Sequence, residues 1–169
     1  AARWAAQSGA SGEVLGNLSP TFMTVAMGKM SKSAHEAIDL GFGKAGDTIL
    51  FNARELLFVA LKEARLLADA GYVPPVPARG VPVAGRAGIA SMEMTLVNMR
   101  EGSMISAHDY RVSRAVAVAL CGGEIEYGSL VDEAWLLAVE RQQFLELLKT
   151  PETQARIKHM LDTGKPLRN

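Results

Sequence analysis

The sequence has a single cysteine, Cys121, among its 169 residues. No internal disulfide can therefore form, and no group of thiolates can hold a metal ion. Because two glycines follow Cys121, we expect it to be a small, buried, apolar residue. The first residues also lack the apolar stretch of a secretory signal peptide, so we expect a cytoplasmic protein.

The chain has no excess of charge of either sign and no long apolar run. Residues 1–84 carry 8 basic and 7 acidic side chains, and residues 85–169 carry 10 and 11. Nucleic-acid binding needs a basic surface, so we do not expect a nucleic-acid partner. Apolar runs such as 56–61 and 115–121 are far shorter than the roughly 18 residues that suggest a membrane span. We therefore expect no membrane span.

Sequence motifs of nucleophilic catalysis and of phosphate binding are missing. There is no G-x-S-x-G elbow and no P-loop. The three histidines, His35, His108 and His159, fall on different predicted elements, and H-E-x-x-H fails because residue 39 is Asp. We expect His35 and His108 to be exposed in the first turns of helices. We assign no catalytic, cofactor-binding or metal-ligating residue.

A glycine-rich stretch, GFGKAGD at 41–47, has the G-x-G-x-x-G spacing of a dinucleotide-binding turn. Such a turn needs a strand before it and a helix that opens on it. Here a capping box of Ser33 and Glu36 predicts a helix over 34–40 before the loop. A short β-rich segment at 47–51 follows the loop. We therefore interpret Gly41 as the residue that ends a helix, and we expect no NAD at this loop.

Helical signals dominate the rest of the chain. Capping residues and 3.6-residue spacing predict helices over 21–29, 34–40, 53–70, 89–102, 107–121, 130–149 and 151–163. Inward positions are predicted to include Ile89, Met92, Leu96, Met99; Val112, Ala115, Val116, Ala119, Leu120; Ala134, Leu137, Ala138, Leu145, Leu148. Since only 47–51 predicts a strand, the expected fold is mainly α, a helical bundle with at most one short strand.

A proline-rich stretch divides the chain. Four of the seven prolines lie within 73–88, which predicts a linker or an extended arm. We place the boundaries at 1–72, 73–86 and 87–169. The second part is helical throughout and contains four clustered methionines, which we expect to be ordinary core: Met92, Met94, Met99 and Met104.

Several segments together resemble the C-terminal portion of long bacterial 3-hydroxyacyl-CoA dehydrogenases of fatty-acid β-oxidation. They are AMGKMSKSAHEAIDLGF (26–42), GYVPPVPARG (71–80), NMREG (98–102), LCGG (120–123) and TPETQARIKHMLDTGKPLRN (150–169). In that family a Rossmann dehydrogenase half precedes a crotonase-like, enoyl-CoA hydratase region and a helical tail. The resemblance implies that 1–72 is the end of a truncated crotonase-like region and that 87–169 is the helical extension.

The resemblance also implies what this chain does not carry. The family's NAD-binding glycines, its catalytic His–Glu pair and its oxyanion-hole loops lie upstream of the matching segments. The chain would thus be a fragment of an NAD-dependent enzyme, inactive alone and without bound NAD. It would serve assembly or form one wall of an acyl-CoA pocket, with the upstream domains and acyl-CoA as partners. Its first residue, Ala1 rather than Met, fits a segment of a longer protein.

Three further expectations accompany this interpretation. A truncated crotonase-like region exposes apolar surface, so we expect self-association, as a dimer. An independent, non-catalytic helical interaction module is the alternative, based on the methionines and the amphipathic helices. Four cations could neutralise the 3′-phosphate of CoA, although we favour a solvated charged face: Arg3, Lys29, Lys32 and Lys44.

Overall fold

The computed structural model describes residues 14–169 and is mainly α-helical, which confirms the predicted fold class. The described helices are α1 (Val14–Ala26), α2 (Ala34–Asp39), α3 (Leu56–Asp69), α4 (Gly85–Glu101), α5 (Ala107–Leu120), α6 (Glu133–Leu148) and α7 (Pro151–Thr163). A 3₁₀ turn, Ala53–Glu55, precedes α3. Packing divides this part of the chain into a first unit, 14–29 with 78–169, and a second unit, 30–77. No helix within 14–169 is long and apolar enough to cross a membrane.

The strand expected at 47–51 is not formed, and two short strands lie elsewhere. Strands β1 (Val81–Pro82) and β2 (Leu130–Val131) pair antiparallel, with Val81 opposite Val131. They belong to the first unit, where helix packing brings two distant segments together. A turn over 44–47 comes just before this segment, and in it the Asp47 carboxylate accepts a hydrogen bond from the Lys44 N–H at 2.8 Å. A β-rich sequence needs a partner strand, and none in the described chain reaches it.

Helix α1 continues through a proline that we expected to start a helix. The prediction was a helix over 21–29 with Pro20 in its first position, but α1 is Val14–Ala26 with Pro20 inside it. An internal proline costs about 3 kcal/mol because it removes one helix hydrogen bond. Burial offsets that cost: Val14, Leu18 and Phe22 follow i, i+4, i+8 spacing and are almost fully buried.

The core of the first unit lies between α1, α4 and α5. On α4 the predicted face is confirmed at Ile89, Met92 and Leu96, which are all buried. On α5 the prediction is confirmed in part, since Ala115 is buried and Val116 and Leu120 pack half-buried against the core. The other fully buried apolar positions, Ala117 and Val118, were not predicted. Helix α5 packs against α1, α4 and α6, so a wide arc of it is covered. A prediction based on one apolar face of the helix therefore includes too few of its buried positions.

The end of the proline-rich stretch belongs to this core. Residues 81, 83 and 84 are buried beside α4 and α5, although they lie in the predicted linker. The exposed, extended portion ends near Ala78, whose N–H and C=O both bond to Glu133.

The prediction for Cys121 is confirmed, because it is fully buried and its burial raises the pKa of the thiol to about 11. The boundaries between the family's regions stay a prediction.

Helix α6 differs from its prediction in both its start and its face. It begins at Glu133, after Asp132 accepts a hydrogen bond from the Trp135 N–H at 2.8 Å, whereas we expected it to begin at 130. The residues expected to face inward are exposed or only half-buried: Ala134, Leu137, Ala138, Leu145 and Leu148. The partly buried side is instead Leu136, Val139, Gln143 and Leu147. The helix is apolar on both sides, so periodicity alone cannot choose the inner one.

The second unit consists of α2, the glycine loop, the 3₁₀ turn, α3 and the proline-rich arm. Ser33 caps α2 by accepting a bond from the Glu36 N–H at 3.1 Å, and the Glu36 carboxylate accepts one from the Lys32 N–H at 2.7 Å. Asn52 accepts a bond from the Arg54 N–H at 3.1 Å, just before α3. None of the residues 30–77 is buried. This unit therefore has no apolar core of its own.

Candidate functional site

The glycine loop uses its main-chain N–H groups internally. The Gly41 N–H donates to the carbonyl of Ile38, and those of Phe42 and Gly43 donate to the carbonyl of Ala37. Gly41 has a φ of +81°, so its predicted role as the residue that ends α2 is confirmed. The Lys44 N–H is also used, by Asp47. A phosphate cradle needs free N–H groups at a helix start, and this loop follows a helix end.

Ionisable and hydroxyl side chains converge where the N-terminus of α5 meets α7. This α5–α7 polar cluster consists of His108, Asp109, Thr153, Arg156 and Asn169. The capping box of Ser106 and Asp109 is confirmed, with both reciprocal bonds present, and it fixes Asp109 at the start of α5. Thr150 caps α7 with Pro151 in its first turn, as predicted. Two locally specified helix starts therefore position this cluster.

His108 is buried in this cluster, so the expectation that it would be exposed was wrong. Its side chain is covered because α7 packs over the first turn of α5, and its Nε2 lies 3.0 Å from the Thr153 hydroxyl. Burial lowers the pKa of His108, and the nearby positive charge of Arg156 lowers it further. His35, in contrast, is exposed as predicted. A neutral, buried imidazole has no access to a substrate.

Asp109 and Arg156 form a half-buried ion pair that also holds the end of the chain. Their side chains approach to 2.7 Å and are only 22% and 21% exposed. Arg156 donates to the Asn169 side-chain oxygen at 2.7 Å, and the Ser106 hydroxyl donates to the Asn169 main-chain oxygen at 2.7 Å. Burial acts to raise the pKa of Asp109, but the bonds from Ser106 and Arg156 outweigh it and lower the pKa. Every polar group here has a partner, which suits a clamp better than a catalytic centre.

A second polar network joins α4 and α5. The Glu93 carboxylate accepts a bond from the Tyr110 hydroxyl at 2.6 Å and one from Arg114 at 3.1 Å. The bond from Tyr110 lowers the pKa of Glu93 and raises the pKa of the Tyr110 phenol. Arg100 lies over the Tyr110 ring, 4.6 Å from its centroid. The network links two helices and leaves no charge unpaired.

Two open depressions mark the surface of the first unit. One, of about 630 Å³, lies along α6 and reaches α7; its lining includes Ala138, Arg141, Leu145, Leu148 and Gln154. The other, of about 490 Å³, adjoins the polar cluster; its lining includes Arg100, Ser106, Asp109, Arg168 and Asn169. Within 14–169, no three His, Cys, Asp or Glu side chains are placed to hold a metal ion.

The four cations considered for the 3′-phosphate of CoA belong to different parts of the chain. Lys32 and Lys44 belong to the second unit, Lys29 ends a segment of the first, and Arg3 lies outside the described residues. Of the four clustered methionines only Met92 is fully buried. Met99 is half-buried, and Met94 on α4 and Met104 after it are exposed. Sequence reasoning missed the pairing of Asp109 with Arg156. The two are far apart in sequence, and neither has a local signal beyond the capping box.

The chain is similar to the probable 3-hydroxyacyl-CoA dehydrogenase of Bacillus subtilis (strain 168). The two sequences are 41% identical over 149 residues, which cover 88% of this chain and 19% of the Bacillus protein. The chain therefore spans about a fifth of the length of this curated relative and is homologous to part of it. No protein-family profile matches the chain, and no solved structure matches it.

The burial of His108 predicts a loss of stability in acid. Because its pKa is lowered in the folded protein, the unfolded chain binds more protons as the pH falls below about 6.5. Above that pH the neutral His108 therefore does not reduce the free energy of unfolding. As the pH falls from there toward the folded-state pKa, preferential protonation of the unfolded chain reduces it increasingly. The charged groups around the imidazole are Asp109 and Arg111 on α5 with Glu152 and Arg156 on α7.

Urea unfolding of the wild type and of His108→Gln at several pH values checks this prediction. We expect the wild type to lose stability relative to the variant as the pH falls from 7.5 to 5. His35→Gln is the matched control, since His35 is an exposed histidine in the first turn of α2. A constant difference between wild type and His108→Gln across this range would show that His108 titrates normally.

Proposed function

We propose that this chain is part of a longer, NAD-dependent 3-hydroxyacyl-CoA dehydrogenase with a crotonase-like, enoyl-CoA hydratase region, acting in fatty-acid β-oxidation in the cytoplasm. The observation that carries the proposal is the 41% identity to the Bacillus dehydrogenase over 88% of the chain. The relative is about five times longer than the matching part, so there is room for the NAD-binding and catalytic residues elsewhere.

Within such an enzyme the chain supports assembly or forms one wall of the acyl-CoA pocket. The polar groups of the first unit bond to one another, and no buried side-chain nitrogen or oxygen in 14–169 lacks a partner. Catalytic acids and bases need access to a substrate and a pKa that suits proton transfer at the working pH. The internal pairing of these groups favours a structural contribution, with NAD and acyl-CoA held by upstream domains.

The test compares two polypeptides for NAD reduction with a 3-hydroxyacyl-CoA substrate. One is the 169-residue chain, and the other is the product of the uninterrupted reading frame that contains it. We expect turnover by the longer protein and none by the chain alone. Turnover by the chain would contradict the absence of a complete active site. A longer protein without this activity would contradict the enzyme class.

An independent helical interaction module is the second candidate. Its support is the large exposed apolar surface on α3 and α6, where many of the leucines and all of the phenylalanines are half exposed or more. A reading frame that encodes only this chain would favour the module over the enzyme segment.

A further inference from the structure

Helix α3 is too apolar to remain uncovered. Ten of its 14 residues are apolar, yet none of them is buried. An isolated helix of this length is only marginally stable in water, and a helix that is apolar on most sides normally packs against something. The second unit supplies no core for it, because none of the residues 30–77 is buried. A partner surface is therefore required.

One side of α3 contacts its own unit, and Val59, the one half-buried residue of the helix, faces away from the stripe described next. The Thr48 hydroxyl bonds to the Glu63 carboxylate, so the 47–51 segment lies along the Glu63 side. Leu57, Leu61, Ala64 and Ala68 follow i, i+4, i+7, i+11 spacing and form a different stripe, which we call the α3 stripe. On a helical wheel its centre is about 130° from Glu63. Leu57 and Leu61 are 71% and 61% exposed.

We infer that two copies of this chain pair antiparallel through the α3 stripe. In that register Leu57 faces Ala68 of the second copy, and Leu61 faces Ala64. At the edge of the same contact Ala60 meets Leu67. At these positions each leucine therefore meets an alanine, and the two-fold axis repeats each match. Such alternation lets facing helices interdigitate closely.

The charges on α3 select this orientation over a parallel one. Antiparallel pairing places Arg65 of one copy beside Phe58 of the other, a cation–π contact. The Phe58 ring already attracts a cation, since Lys62 Nζ lies 4.3 Å from its centroid. Antiparallel pairing also brings Arg54, just before α3, toward Asp69 at the end of the other helix. In a parallel pair the two-fold axis would run along the helices, so Arg65 of one copy and Phe58 of the other would lie on opposite edges of the contact and this match would be lost.

A portion of the longer enzyme is the competing occupant of this surface. The match of leucine to alanine and the complementary charges are properties of α3 with itself, and they favour a second copy. The inference goes beyond the proposed function and does not depend on it. A helical module and an enzyme segment would both pair in this way.

Sedimentation equilibrium of the 169-residue chain, with and without Leu61→Asp, tests the pairing. We expect a wild-type dimer at micromolar concentration and a dissociation constant raised about 100-fold by the charge at the centre of the stripe. Leu66→Asp is the matched control because Leu66 lies on the opposite side of α3, and it should leave the dimer intact. Far-UV circular dichroism checks that both variants keep their helices.

Two outcomes would overturn the inference. A wild-type chain that is monomeric at all concentrations would leave the longer enzyme as the occupant of the α3 stripe. Equal effects of Leu61→Asp and Leu66→Asp would show that any dimer forms through another surface. Either result can be obtained whether or not the longer protein is a dehydrogenase, so the two proposals fail separately.

Cross-linking tests the orientation. Leu61→Cys and Ala64→Cys proteins are mixed under mild oxidation, with Cys121 left in place because it is fully buried. Antiparallel pairing predicts that the mixture forms a disulfide between residues 61 and 64 faster than either protein alone forms a homodimer. Faster cross-linking of Leu61→Cys to itself would indicate a parallel pair and contradict the proposed register.

Discussion

Phe22→Ala is expected to lower the free energy of unfolding by about 3–5 kcal/mol, because truncating a buried aromatic ring leaves a cavity. Phe22 is 2% exposed and is the largest of the fully buried side chains in the described chain. It lies on α1, which packs against α4 and α5. Urea unfolding followed by far-UV circular dichroism measures the loss.

Phe51→Ala is the matched control for this substitution. Phe51 is fully exposed, so removing its ring should change the free energy of unfolding by less than about 0.5 kcal/mol. The comparison tests whether α1 belongs to the core of the first unit although it precedes the second unit in sequence. Equal effects of the two substitutions would contradict that packing.

Signals confined to one or two helical turns predicted the local structure of this chain well. The capping box of Ser106 and Asp109 and the Thr150–Pro151 start of α7 are present as expected. The glycine that ends α7, Gly164, has the expected left-handed φ of +70°. Each of these features depends on atoms within a few residues, so the sequence contains all the information that they need.

Features that depend on packing were predicted poorly. Pro20 is a good first residue of a helix, but α1 begins six residues earlier and continues past it. Burial of Val14, Leu18 and Phe22 stabilises the longer helix. Strands β1 and β2 each have two residues and exist only because the fold brings Val81 opposite Val131. Helix α6 is apolar on two sides, so its sequence fits two inner faces equally well.

The polar clusters could not have been predicted either. Asp109 was recognised as a capping residue, but its ion pair with Arg156 depends on how α7 crosses the start of α5. The same crossing buries His108, which a helix-start position alone would leave in water. The functional expectation rests on the resemblance of several segments taken together, since no single stretch of this chain carries a catalytic motif.

Gly85→Ala is expected to destabilise the first unit by about 3 kcal/mol or more. Gly85 has a φ of +52°, which costs a residue with a Cβ roughly 1–2 kcal/mol. An added Cβ would also lie 2.1 Å from the Ile125 carbonyl oxygen. The main chain cannot move away easily, because the Gly85 N–H bonds to Cys121 and the Arg86 N–H bonds to that same Ile125 carbonyl, both at 2.9 Å. Overpacking of this kind adds about 1–3 kcal/mol.

Gly80→Ala separates backbone strain from the steric clash. Gly80 has a similar φ of +64°, but an added Cβ there would have no atom within 4 Å. It should therefore cost only the strain, about 1–2 kcal/mol, in the same urea unfolding measurement. The excess cost at Gly85 then measures how closely the start of α4 is held against residues 125–126. If both substitutions cost the same, the start of α4 is not held closely against these residues, and the connection between α5 and β2 is loosely packed.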